Sequence, residues 1–287
     1  MRSQSNNTEG FDGELTGKQR REREEADPCG AVRRRRLKQL GGAVAIAVVV
    51  IVVVLIASGK SADTVETAET GVTKQIAVLL GGIPQAGNTL GKPTAPITLE
   101  YFGDLECPTC RAFTLDVLPL VINKWVRDGH LRIAYRSLDE ATREPERFKK
   151  QQVAALAAGT QGRMWYFVEI FYHEQGEEGS GYVTESYIDG IAKEVPGLDL
   201  PLWQTDRSDP KLTAQVEEDA QTANSDGLTG VPSFLIGRTG LATSKLGSGL
   251  LPESTFNGAI EGLLKTYTRR HERASAFRRA STTRSSP

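Results

Sequence analysis

Ile97-Thr98-Leu99-Glu100-Tyr101-Phe102-Gly103-Asp104-Leu105-Glu106-Cys107-Pro108-Thr109-Cys110 is the stretch on which the fold turns. Ile97–Phe102 is an apolar run of strand length, Gly103–Glu106 makes a turn, and Pro108 suits the first position of a helix. A C-x-x-C at a strand-to-helix junction places two sulfurs within one helical turn, close enough to close a small disulfide ring. A second motif lies far along the chain: Gly230-Val231-Pro232-Ser233, followed by the strand-like Phe234-Leu235-Ile236. X–Pro bonds are the ones that adopt cis at low cost, so Val231–Pro232 is a candidate cis bond. Such a bond would hold its backbone beside the sulfurs, where an incoming peptide would dock. The two motifs together point to thiol–disulfide exchange.

The C-x-x-C has two other readings, half of a zinc site or a pair of inert core thiols. Zinc commonly takes a second C-x-x-C or a closely spaced His pair. The third cysteine is Cys29, and His130, His173 and His271 are scattered, so no metal is expected. Inert thiols fit poorly with the turn residues and proline, which describe an exposed helix start.

The 287 residues allow one sizeable domain with appendages, and the net charge of −1 gives no basic excess for nucleic acid. Neither internal repeats nor a phosphate-binding Gly-rich motif is present. Residues 1–38 are polar and without periodicity, which predicts a disordered segment; it ends in Arg33-Arg34-Arg35-Arg36 and Lys38. Leu40 to Ala57 then runs uninterrupted by charge. At ~1.5 Å per residue, a helix over 39–58 just spans a bilayer core of about 30 Å. The cationic cluster ahead of it predicts a cytoplasmic N-terminus and an extracytoplasmic remainder. A cleaved signal peptide and a buried core segment are the rivals. The first would have an unusually long apolar region and leader, and the second rarely escapes a charge for so long. This topology puts Cys107 and Cys110 where disulfides persist. Cys29 stays on the cytoplasmic side and reads as incidental, with juxtamembrane palmitoylation as the alternative. Two cysteines this close cannot staple a fold, which favours a functional role.

Residues 59–91 read as a linker with a short strand or helix near Gln75–Leu80, broken by Gly81, Gly82, Pro84, Gly87 and Gly91. The folded domain is expected over 92–267. After the redox helix, which Pro119 should kink or divide, Asp128-Gly129 signals a C-cap and Leu131–Arg136 alternates as a strand. A helical block follows over about 145–224; in it Trp165, Val168, Glu169 and Tyr172 form a stripe read as core. Thr184 and Asp209-Pro210 mark helix starts. The strand after Pro232 should turn at Gly237–Gly240, pair with Leu241–Leu246, and precede a helix from Pro252 to Tyr267. The Arg- and Ser-rich tail, 268–287, reads as solvated, with contact to anionic lipid as the alternative. The predicted class is α/β: a thioredoxin-like plan with an inserted α-helical subdomain, preceded by one transmembrane helix.

The segments Tyr101–Cys110, Gln161-Gly162-Arg163-Met164-Trp165-Tyr166-Phe167 and Gly230–Phe234 resemble those of DsbA-type extracytoplasmic thiol–disulfide oxidoreductases, in particular the membrane-tethered forms of Gram-positive bacteria. The resemblance covers about residues 90–266. It implies a thioredoxin fold with an inserted helical subdomain and a cis Val231–Pro232 bond. Cys107 and Cys110 would be catalytic, Pro108 and Thr109 would complete the redox motif, and Val231 and Pro232 would bind substrate. The cofactor would be the Cys107–Cys110 disulfide alone. The partners would be unfolded or reduced exported proteins and a membrane redox protein for recycling, with the membrane held through the N-terminal helix and no nucleic acid. Thr109 stands where some members carry His, and Asp104 and Glu106 place negative charge near Cys107. Both features work against the thiolate, so a reductase remains the alternative to an oxidase, and a non-enzymatic envelope binding module is a third reading. Thr109 has two readings of its own, a hydrogen bond to a sulfur or a solvated hydroxyl.

Overall fold

The computed structural model describes residues 71–266. The expected segments 1–38, 39–58 and 268–287, and Cys29, lie outside them. Among the described residues no helix is long and apolar enough to cross a membrane.

The first element, α1 (Gly71–Leu80), buries Thr73, Ile76 and Leu80. Arg127 holds its last carbonyls, donating to the oxygens of Val78 and Leu79, both at 2.7 Å, and of Gly81 at 3.1 Å. A short hairpin follows, β1 (Gln85–Ala86) and β2 (Thr89–Leu90), turning through Gly87 at φ 55°. The linker expected over 59–91 therefore contains a helix, where a short strand or helix was expected near Gln75–Leu80, and two unexpected strands, all of which belong to the packed unit. Frequent glycines hide this in the sequence by interrupting any period, while Ile76, Leu80 and Leu90 are each at most 1% exposed.

β3 (Ile97–Gly103) is buried along almost its whole length, which is why it reads as an unbroken apolar run. The chain turns at Asp104–Glu106 and enters α2 (Pro108–Ala112). A π-helical turn (Phe113–Val117) leads into α3 (Leu118–Val121), and a second π turn (Ile122–Val126) ends the helix. Pro119 accounts for the first: it has no N–H for the carbonyl four residues back, and the widened turn ahead of it lets Leu118 bond Phe113 instead. Gly129, at φ 78°, closes the helix as a C-cap, and β4 (Leu131–Ser137) leaves with strict in–out alternation.

Five helices form the inserted block: α4 (Pro145–Thr160), α5 (Met164–His173), α6 (Glu185–Glu194), α7 (Leu200–Asp206) and α8 (Pro210–Ser225). Thr184 caps α6 by accepting from Tyr187 N–H, and Asp209 caps α8 ahead of Pro210. Residues Met164–Tyr172 of α5 are all buried, so the aromatic stripe is core. Trp165 donates to Asn88 O (3.1 Å), and Gly159 of α4 approaches the β1–β2 turn so closely that a Cβ would lie 2.7 Å from Gly87 O. Asp219 of α8 is tied to β4 by Arg136 and by Ser137 N–H, each at 2.9 Å. The chain returns in β5 (Ser233–Arg238) and β6 (Ser244–Ser248), and closes with α9 over residues 253–266. β6 starts later than the expected Leu241, because the turn extends past Gly240 (φ 78°).

The sheet order is β1-β2-β4-β3-β5-β6. β3 is central, parallel to β4 and antiparallel to β5. Rings from three elements meet under α2: Phe113 lies 4.6 Å from Phe234, and Phe256 lies 5.0 Å from Phe234. This packing fixes the redox helix over the C-terminal end of β3, next to the entry of β5.

Candidate active site

Cys107 is the N-cap of α2, with extended backbone (φ −77°, ψ 120°). A helix start leaves N–H groups unpaired, and a cap side chain normally accepts one with oxygen. Here the sulfur does so: Cys110 N–H donates to Cys107 Sγ at 3.2 Å. Cys107 N–H in turn donates to Asp104 O at 3.0 Å, and Arg111 N–H to Cys107 O at 3.0 Å. Cys107 is 5% exposed and Cys110 is fully buried, so the attacking sulfur expected to be exposed sits at the floor of the surface. Pro108 and Thr109 are exposed, and among the described residues the Thr109 hydroxyl has no partner, which leaves the solvated reading. Both cysteines are free thiols.

The second motif arrives across the sheet. Val231–Pro232 is cis. The Cys107 thiol faces Val231 O at 3.7 Å, although 124 residues separate them in sequence. Val231 is half-buried and Pro232 buried, so the Val231 backbone borders the sulfur at the surface.

The two thiols are driven apart in acidity. The Cys107 thiol is lowered, first by the Cys110 hydrogen bond and then by the N–H groups of Cys110 and Thr109, against burial and the charge of Asp104. Burial pushes the Cys110 thiol well up, and its hydrogen bond to Cys107 adds to this. Asp104 and Glu106, read from the sequence only as nearby charge, differ in setting. The Asp104 carboxylate is buried and accepts from Glu106 N–H, Ala141 N–H, Thr142 N–H and Thr142 Oγ1 at 2.6–3.0 Å, and from Glu140 N–H at 3.3 Å. Glu106 is also buried and pairs with Arg147 at 2.8 Å, while its Oε2 has no partner; burial raises its pKa and Arg147 opposes the rise.

Sequence reasoning missed the groups that brace the turn from the helical block. Tyr172 OH donates to Asp104 O (3.1 Å) and meets Tyr101 OH (3.2 Å), which lies 3.4 Å from Cys110 O. Gln175 donates to Leu105 O (2.7 Å) and Cys107 O (3.2 Å). Tyr172 was legible only as part of a core stripe, and nothing near Gln175 in sequence marks it. Among the described residues no cluster of His, Cys, Asp and Glu is arranged to hold a metal ion.

A family model described as thioredoxin matches residues 85–248, from the β1–β2 hairpin to the end of β6. A Bacillus anthracis protein named probable disulfide bond formation protein D is 24% identical over 149 residues, covering 52% of this chain and 68% of that protein. Among solved structures, oxidised BdbD from Bacillus subtilis superposes with a TM-score of 0.52 at 19% identity, covering 64% of this chain and 97% of that one. A thioredoxin-like oxidoreductase from Silicibacter pomeroyi DSS-3 gives 0.50 at 26% identity, covering 62% and 91%.

Proposed function

The chain belongs to the thioredoxin family and is a thiol–disulfide oxidoreductase of the DsbA type, and from that premise we propose that it forms disulfides in exported proteins, at the outer face of the cell membrane. The observation that carries the oxidase direction is the Cys107 sulfur acting as the cap of α2, with its acidity raised beside a buried, weakly acidic Cys110. Hydrogen bonds to the Cys107 thiolate stabilise the reduced state, and a couple with a stabilised reduced state is a better oxidant.

In that direction a substrate thiolate attacks Cys107 Sγ. The Cys107–Cys110 bond breaks, its electron pair moves to Cys110 Sγ, and that sulfur takes up a proton. A second substrate thiolate then attacks the substrate sulfur of the mixed disulfide, and Cys107 departs as the thiolate. Its lowered pKa makes it the better leaving group in this second step. The half-buried Val231 backbone would pair with an extended substrate chain by strand addition. A membrane redox protein would take the two electrons and restore the disulfide. Arg33–Arg36 ahead of Leu40–Ala57 supports tethering with the domain outside. A reporter fused after residue 60 should be active only outside the cytoplasm; activity confined to the cytoplasm would reject the tether and its orientation.

The Asp104 charge favours the second reading, a reductase or thiol-repair protein, because it opposes the Cys107 thiolate. Equilibration of the Cys107–Cys110 pair with glutathione separates the two. A potential toward ~−120 mV means an oxidase and one toward ~−270 mV a reductase. The oxidase reading expects the first value, together with reactivation of reduced, unfolded ribonuclease by the oxidised protein. The second value without reactivation rejects it.

A further inference from the structure

We propose that Asp104 is a positioning residue that sets the strength of the redox pair by keeping a negative charge beside the Cys107 turn, where the loop over residues 140–142 holds its carboxylate. Asp104 is fully buried. Its carboxylate has no cationic partner among the described residues, since the nearby Arg147 is engaged by Glu106 and Glu144. Its donors are neutral: the N–H groups of Glu106, Glu140, Ala141 and Thr142 and the Thr142 hydroxyl. Neutral dipoles hold an anion in place without supplying an opposite charge, so its field persists in a poorly screening interior. The same residue's carbonyl accepts Cys107 N–H at 3.0 Å and Tyr172 OH at 3.1 Å, which fixes where the redox helix starts. The other ionisable groups around it are Cys107 and Cys110 themselves, Glu106 in the turn, Arg147 on α4, Asp139 in the loop and the phenols of Tyr135, Tyr172 and Tyr182.

A structural clamp and a charged positioning group predict different things. As a clamp, Asp104→Asn and Thr142→Val both loosen the same loop, and their effects on Cys107 share a sign or vanish. As a positioning charge, Asp104→Asn removes the anion and favours the Cys107 thiolate. Thr142→Val keeps the anion but removes the donor at 2.6 Å, which leaves the charge less compensated and disfavours the thiolate. The inference rests on the redox reading of the pair, but its readout does not need a client protein. The Cys107 thiolate is titrated by its ultraviolet absorbance in the reduced protein, and the pair is equilibrated with glutathione. Asp104→Asn should raise the thiolate ionisation constant about tenfold and move the glutathione equilibrium toward the reduced pair. Thr142→Val should move both the other way. Changes of equal sign, or none, overturn the inference. If Asp104→Asn does not fold, Asp104→Ser replaces it as the charge-free variant and the same comparison decides: a sign opposite to that of Thr142→Val sustains the inference, and equal signs or no change overturn it. Failure of the wild-type protein to oxidise ribonuclease would count against the oxidase reading and leave this titration to judge Asp104.

Discussion

Cys107→Ser is expected to reduce disulfide exchange to the uncatalysed background, whereas Cys110→Ser should attack once and stop. The two sulfurs differ in access and in acidity. Cys107 caps α2 at the edge of the surface, next to the Val231 backbone, and Cys110 lies fully buried behind it with its thiol pushed up. Thiolate fraction and access together control attack, so in the reduced protein near neutral pH Cys107 should alkylate faster by on the order of a hundredfold. Mass mapping of a short iodoacetamide pulse reads this directly. Cys110→Ser keeps a sulfur that reacts but removes the neighbour that releases it, and mixed disulfides with exported proteins should collect on Cys107. Non-reducing gels would show them as bands that collapse on reduction. Faster labelling of Cys110, or trapping by Cys107→Ser instead of Cys110→Ser, would reverse the roles. A pair inert to alkylation in the reduced protein would favour the binding module.

The second large effect concerns stability and lies away from the sulfurs. Glu169 sits in α5, buried among apolar residues; one of its oxygens has no hydrogen-bond partner, and burial alone pushes its pKa up to about 8. The ordinary carboxylate value of 4.5 applies to the unfolded chain. Below that value both states carry the proton and the residue is neutral to folding. As pH rises from 4.5 toward 8 the unfolded chain ionises while the folded protein keeps its proton, so stability falls through this window and levels off above it. By pH 7 the loss is about 3 kcal/mol, a large share of a domain's stability. Glu169→Gln cannot ionise and should abolish this part of the pH dependence. It carries its own cost of about 1–3 kcal/mol for a buried amide without full partners. The difference between urea unfolding at pH 4.5 and at pH 7.5 is therefore the readout. Equal differences for the wild type and Glu169→Gln would show that Glu169 does not titrate in this range.

Much of the architecture was legible because its signals are local. The unbroken apolar run before Cys107, the alternation in Leu131–Arg136, Thr184 and Asp209-Pro210 at helix starts, and Val231–Pro232 before a strand each depend on a few neighbouring residues. They determined the order of elements and the redox pair. In residues 71–90 only the element near Gln75–Leu80 was legible; its packing into the domain and the hairpin escaped, because their burial depends on partners far along the chain: Arg127 for α1, Trp165 and Gly159 for the hairpin. The π turns around Pro119 escaped in part, since a proline states only that the regular pattern must yield, and packing chooses how. The acidity of Cys107 shows the division most plainly. By itself the sequence determined that a thiol stands at a helix start with two acids close by, and so the sign of each influence. Which influence wins is a matter of distance, burial and hydrogen bonds, and these were decided by tertiary structure alone. Thr142 donates to Asp104 from 38 residues away, Val231 faces Cys107 from 124 residues away, and Cys110 is buried while its N–H and thiol stabilise the Cys107 sulfur.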